Sequence, residues 1–174
     1  SQLIADKTYF FFSHTIKAQA YNRDLLRAIL DKNIRLIDYE VLTDEKGKRL
    51  IAFGRFAGMV GAHNGLWTYG KRSDTFDLKR MKDYRDYAEA KTDYQNLQLP
   101  PIKIVLTGTG RVGQGAAEVL KDMGIERVTP KEFLNHSYDH AVFTQLRVED
   151  YARRKDGKAF VRKEFYAHPE LFES

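Results

Sequence analysis

Hydrophobic and polar positions alternate between two kinds of pattern along this chain. Short apolar runs read as strands, and stretches with apolar residues at helical spacing read as helices. Lys7 to Ser13 (KTYFFFS) is an aromatic run that predicts a buried strand. A helix opens at Tyr21 or Asn22 and places Leu25, Leu26, Ile29 and Leu30 on one face. Arg35 to Leu42 predicts a second strand, DEKGK a turn on Gly47, and Leu50 to Phe53 a third strand. GRFAGMVGAHNGLWTYG predicts a helix whose small residues let it pack closely on another element. From Lys71 to Gln98 the chain turns polar and Tyr-rich, with Phe76, Met81, Tyr84, Tyr87 and Ala88 at helical spacing. We read one long amphipathic connecting helix there, stopped by Leu99-Pro100-Pro101. Then follow a strand (Ile102 to Leu106), a helix (Arg111 to Met123, ended by Gly124), a short strand (Arg127 to Thr129), a helical turn led by Pro130, and a strand (Ala141 to Leu146).

This order predicts an α/β, Rossmann-like fold: parallel sheets flanked by helices, in two partial domains joined by a long helix. The expected divisions are residues 1–70, the connecting helix 71–99, and residues 100–174. Of 174 residues, 43% are hydrophobic and 30% charged, the balance of a globular chain. The net charge of +5 is spread over interleaved signs, as in DLKRMKDYRDYAEAK, which argues against a nucleic-acid stripe. With no Cys there is no disulfide, thiolate metal site or Cys nucleophile, and a cytoplasmic setting fits. No apolar run approaches the roughly 20 residues of a membrane span, and the start carries no signal-peptide pattern.

The sharpest local motif is IKIVLTGTGRVGQGAAEVL. Gly108, Gly110 and Gly113 form G-x-G-x-x-G between a predicted strand and a predicted helix, the context of a dinucleotide fingerprint. Gly108 permits the tight turn, Gly110 a close approach of pyrophosphate, and Gly113 close helix–strand packing. Arg111 and Val112 in the same turn would contact nucleotide through their backbone, at the helix N-terminus that favours an anion. The acid that usually binds the ribose hydroxyls is missing from Arg127-Val128-Thr129-Pro130. Thr129 is the ribose candidate, while Arg127 or Lys131 would suit a 2′-phosphate, so NAD and NADP both stay open.

The chain has five histidines, and one of them is a candidate for proton chemistry. His14 ends an aromatic strand, where α/β folds place reactive groups. Lys17 lies three residues on and Glu40 near the end of the next strand; together they would tune a proton shuttle at His14. His136 and His140, four apart, lack an HExxH pattern and suit a turn better than a metal. His63 reads as packing or surface, and His168 as part of a turn.

At these residues the chain resembles the saccharopine dehydrogenase (lysine-forming) family, within the alanine dehydrogenase and pyridine nucleotide transhydrogenase superfamily. FFSHTIKAQ, LIDYEVLTDEKGKRLIAFGRFAGMVGAHNG and IVLTGTGRVGQGAAEVL carry the likeness. The resemblance implies a substrate domain and a nicotinamide nucleotide domain around a cleft. It implies oxidation of saccharopine to an imine and hydrolysis to lysine and 2-oxoglutarate. His14 matches the family's acid–base His, and Lys17 and Glu40 match cleft residues that tune it. The catalytic Lys of the family lies upstream of that His, beyond the thirteen residues that precede His14, and Thr15 stands where fungal members tend to carry Cys. The chain thus resembles an excised middle portion, expected to be inactive alone. Its expected partner is an amino-acid substrate, with no nucleic acid or membrane and homo-oligomerisation left open. An alanine-type dehydrogenase and a non-catalytic nucleotide-binding domain are the alternatives.

Overall fold

A computed structural model describes residues 2–174. The chain forms two compact units, one ending at Phe53 and one beginning at Gly54.

The first unit is built on two parallel strands, β1 (Thr8–Phe11) and β2 (Arg35–Asp38), paired in the register Thr8–Arg35 to Phe11–Asp38. Helix α1 (Arg23–Asp31) makes the crossover between them. The strand expected to be buried is only half so: Tyr9 and Phe11 turn inward, while Phe10 is 61% exposed. On α1, Ile29 is buried but Leu26 and Leu30 are exposed, so the apolar face is narrower than its spacing implies. β2 stops four residues before the expected end, because the backbone turns at Tyr39 and Glu40. The expected third strand, Leu50 to Phe53, does not form. The antiparallel pairing that begins at Thr43–Arg49, around a turn with Gly47 at φ +74°, ends at the bond from the Leu50 amide to the Leu42 carbonyl.

The second unit opens with α2 (Gly54–Ser73), a small-residue helix packed on α4 (Arg111–Asp122). The approach is close: a Cβ on Gly58 would stand 1.9 Å from the Val112 carbonyl oxygen, and one on Gly115 2.0 Å from that of Arg55. The expected long helix over 71–99 is absent. The helix ends at Ser73, and Asp74 takes a left-handed turn at φ +54°. The chain then runs back along α2, with Phe76 against Gly70 and the Met81 amide on Asn64 Oδ1 (3.0 Å). A new helix, α3 (Tyr87–Tyr94), starts where Asp86 accepts the Glu89 amide (3.0 Å).

A parallel sheet follows, of β3 (Lys103–Thr107), β4 (Glu126–Arg127) and β5 (Val142–Leu146), in the spatial order β3-β5-β4. Phe143, Val119, Leu120 and Ile125 join Met59, Leu66, Ala90 and Tyr94 in one core of sheet, α4, α2 and α3. Helix α5 (Pro130–Asn135) begins with a capping box between Thr129 and Glu132, with Pro130 at the favoured first position. The last segment adds β6 (Arg153–Arg154), α6 (Arg162–Ala167) and β7 (Phe172–Glu173). β6 and β7 pair antiparallel, and Phe160, Phe165 and Phe172 pack together. The whole is α/β, with open parallel sheets flanked by helices, as expected of a Rossmann-like chain. No helix among the described residues is long and apolar enough to cross a membrane.

Candidate functional site

In the first unit, the C-terminal ends of the two parallel strands carry the candidate acid–base group. Beyond β1 the chain turns sharply at His14, whose φ of +57° lies in the left-handed region. A 3-10 turn, Thr15–Lys17, follows and is closed by Ala18 at φ +50°. Left-handed backbone at two residues that are not Gly costs energy and persists only where neighbours enforce it. Here the His14 amide donates to Glu40 Oε2 (3.1 Å), and the His14 carbonyl accepts from the Lys17 amide (3.1 Å) and Asn22 Nδ2 (3.4 Å).

The three side chains singled out in the sequence meet at this turn. Glu40 is 4% exposed. Its Oε1 lies 3.2 Å from Lys17 Nζ and its Oε2 3.0 Å from His14 Nδ1. The His14 ring nitrogen is off hydrogen-bond alignment, so that contact is electrostatic, and the aligned donor to Oε2 is the His14 amide. Burial pushes the Glu40 carboxyl up, but the Lys17 ammonium and the His14 ring outweigh it and hold it below the ordinary range. His14 Nδ1 is buried although the side chain as a whole is 40% exposed, so the accessible edge of the ring is the one bearing Nε2. Phe12 packs edge-on against the ring at 5.0 Å.

In the second unit, the glycine turn joins β3 to α4. Gly108 has φ +87°, which only Gly adopts freely. Gly113 is pressed on the turn: a Cβ there would come 2.2 Å from the Gly108 carbonyl oxygen. A Cβ on Gly110 would meet nothing within 4 Å beyond its own chain neighbours. Gly108 and Gly113 are thus required by the fold, whereas Gly110 leaves open space beside the first turn of α4. The Arg111, Val112 and Gly113 amides of that turn have no partner within the helix by its geometry. Open space and free donors together fit a pyrophosphate.

β5, not β4, is the strand beside β3, so β5 stands between β3 and the β4 end where Thr129 sits. Its hydroxyl donates to Glu132 Oε2 (2.7 Å) and accepts the Glu132 amide (3.2 Å) in the capping box. The residue that does reach the turn is Gln145 on β5, donating from Nε2 to the Gly108 carbonyl (2.9 Å). An open recess lies here, lined by Thr109, Gln145, Arg127, Arg147 and Arg162 and also by Glu149 and Asp150, with Arg162 paired to Glu149.

No protein-family model matches the chain. Among curated proteins it is 38% identical, over 149 residues, to the mitochondrial alpha-aminoadipic semialdehyde synthase of Mus musculus, across 75% of this chain and 16% of that protein. With the alpha-aminoadipic semialdehyde synthase of Arabidopsis thaliana it shares 31% identity across 98% of this chain and 19% of the relative. With the saccharopine dehydrogenase [NAD(+), L-lysine-forming] of Candida glabrata it shares 34%, across 66% of this chain and 34% of the enzyme. The chain is homologous to the saccharopine dehydrogenases and alpha-aminoadipic semialdehyde synthases. It spans less than a fifth of the synthases it matches and about a third of the fungal dehydrogenase.

For a saccharopine dehydrogenase homologue, two residues beside His14 went unseen in the sequence. Asp38 and Ser13 form the base on which the His14 turn rests, with Ser13 Oγ donating to Asp38 Oδ2 (2.5 Å). The signal available was LIDYE, where Asp38 and Glu40 stand two apart at the end of one strand. The remaining histidines are engaged elsewhere. His63 is fully buried. His140 sits between Asp139 Oδ1 (2.8 Å) and Glu126 Oε2 (2.7 Å), which raise its pKa, and His136 caps the end of α5.

Proposed function

We propose that the protein containing this chain is a nicotinamide-dependent oxidoreductase acting on the C–N bond of saccharopine, releasing lysine and 2-oxoglutarate. The observation that carries this reading is the meeting of His14, Lys17 and Glu40 at the strand ends, in a chain homologous to saccharopine dehydrogenases. In that reaction the substrate carbon loses a hydride and its nitrogen a proton, giving an imine. Water then adds to the imine carbon, and the C–N bond breaks. When bound, the nicotinamide ring takes up the hydride.

His14 takes the amine proton, or the proton of the attacking water, at its accessible Nε2 edge. Glu40 faces Nδ1 and stabilises positive charge on the ring. Lys17, 45% exposed, balances the Glu40 charge and is free to meet a substrate carboxylate. Gly108, Gly110, Arg111, Val112 and Gly113 hold the pyrophosphate through backbone and open space. The recess beside the turn is of mixed charge, with Arg127 and Arg147 beside Asp150 and with Arg162 paired to Glu149, so it does not single out a 2′-phosphate. NAD, the nucleotide in the fungal relatives' names, is the expected cofactor, with NADP the alternative. The cytoplasmic setting belongs to this proposal, beside mammalian relatives whose names include "mitochondrial".

Calorimetry on the chain with NADH and NADPH tests the nucleotide half of the reading. Binding, tighter for NADH and lost in Gly110→Asp, is the expected result. An unchanged isotherm in Gly110→Asp would remove the glycine turn from the site. Turnover of saccharopine by the full-length protein tests the other half.

A further inference from the structure

Between His14 and the strand pair beneath it lies a carboxylate that the proposed chemistry does not use. Asp38 ends β2, half-buried, and its two oxygens collect three donors from two chain segments. Oδ1 accepts the Ser13 amide (3.3 Å) and the Glu40 amide (2.9 Å). Oδ2 accepts the Ser13 hydroxyl (2.5 Å). With its proton committed to Asp38, Ser13 Oγ accepts from the Thr15 amide (3.1 Å) and the Thr15 hydroxyl (2.7 Å). One side chain thus grips the residue before His14, the residue that acts as acceptor for His14, and, through Ser13, the residue after it.

We propose that Asp38 is the positioning residue of this site, fixing the left-handed turn of His14 over Glu40. The inference rests on the reading of His14 as the acid–base group. β1 and β2 pair only as far as Phe11–Asp38, so no ladder bond orders Ser13, His14 or Glu40. The segments diverge there, and their spacing is set by side chains. The Glu40 bonds to the His14 amide and to Lys17 define what His14 faces, but they hold only if Glu40 itself is held, and Asp38 accepts its amide. The left-handed φ of His14 turns its ring back toward Glu40, and the anchored Ser13 enforces that φ against its intrinsic cost. The work is done by acceptor geometry. Asn in place of Asp offers Oδ1 to the same two amides and Nδ2 to Ser13 Oγ, whose proton then turns to Thr15.

Amide exchange in this chain reads the role directly. Asp38→Ala is expected to speed exchange at Ser13, His14 and Glu40 about tenfold or more, while the amides of the β1–β2 ladder keep their rates. Asp38→Asn is expected to leave both sets near wild type. In the full-length protein, Asp38→Ala is expected to lower kcat about 100-fold with the nucleotide KM unchanged, and Asp38→Asn to recover most of it. Ladder and turn amides accelerating together would make Asp38 a brace of the strand pair and overturn the proposal. A loosened turn with unchanged kcat would overturn it too. Should the wild-type full-length protein not turn over saccharopine, the functional reading fails, and the exchange pattern still decides whether Asp38 positions His14.

Discussion

His63 is the one histidine with no access to solvent, at 0% exposure in the middle of α2. Its Nδ1 lies 2.6 Å from the Tyr94 hydroxyl and its Nε2 2.7 Å from the Lys79 carbonyl. The carbonyl only accepts, so Nε2 carries the proton and Nδ1 accepts from Tyr94: the neutral tautomer is fully satisfied. Burial drives the His63 pKa down, against smaller opposing effects of the Lys79 carbonyl and Asp93. The folded chain therefore binds this proton less readily than the unfolded chain, whose His titrates near 6.5. Stability from neutral His63 is complete above that pH and declines as pH falls from about 6.5 toward the folded pKa, by at most about 1.4 kcal/mol per unit. Urea unfolding between pH 7.5 and 5 is expected to lose stability more steeply in wild type than in His63→Gln; parallel slopes would refute the assignment. The sequence allowed packing or surface for this residue, and only the neighbours decide between them. Tyr94 and Lys79 reach His63 through a reversal of the chain that its own helix does not encode. His14, Lys17 and Glu40 were legible because each sits at or just past a strand end. Asp38 was hidden because it acts through backbone amides, which leave no mark in the sequence.

At the scale of elements, the α2–α4 crossing is set by glycine. Gly58 and Gly115 each receive the partner helix's backbone where a methyl group would collide with a carbonyl oxygen. The gain of about 1 kcal/mol that Ala brings to a helix is outweighed there, since the atoms in the way are backbone and cannot move aside. Gly58→Ala and Gly115→Ala are each expected to destabilise by about 1–3 kcal/mol in chemical denaturation. Gly61→Ala and Gly65→Ala, where a Cβ meets nothing within 4 Å, are expected to be neutral or stabilising. Equal effects at all four positions would refute the crossing. The sequence disclosed this helix and its close packing, because the small residues have no other use at that density. It misled over residues 71–99, where aromatic residues at helical spacing belong to a returning segment and a short helix that both pack on the core. The stop at Ser73-Asp74 and the cap at Asp86 were the competing signals, and periodicity obscured them. The missing strand at Leu50 to Phe53 has a plainer cause: an apolar run becomes a strand only where a partner continues the ladder.

At the scale of the whole chain, the two units differ in how much they bury. Through Phe53 the only buried apolar side chains among the described residues are Ile29 and Ile34. From Gly54 on, a continuous core joins Phe143, Val119 and Leu120 to Met59, Leu66 and Tyr94. The α/β alternation was legible along the chain, but burial was not, because an apolar run looks the same whether or not something covers it. A two-stranded parallel pair with Phe10 exposed lacks the double-sided cover that parallel strands normally have. With so little apolar cover the pair is weakly held, and the polar links that Asp38 and Glu40 gather beyond the strand ends order the His14 turn and not the ladder. Both carboxyls sit below their ordinary range: burial raises them, but hydrogen bonds and nearby positive charge prevail. Their stabilising effect is therefore complete above the unfolded carboxylate pKa and is lost as pH falls through the lower folded values. Native-state exchange near neutral pH is expected to show β1, β2 and α1 opening with protection at least tenfold below that of β3, β5 and α4. Lowering the pH through the carboxylate range is expected to loosen Ser13, His14 and Glu40 while the β1–β2 ladder keeps its protection, after correction for intrinsic exchange. A single opening free energy shared by both units would show that the chain unfolds as one body, and equal loosening of ladder and turn at low pH would show that the strand-end carboxylates brace the strand pair and do not position the turn.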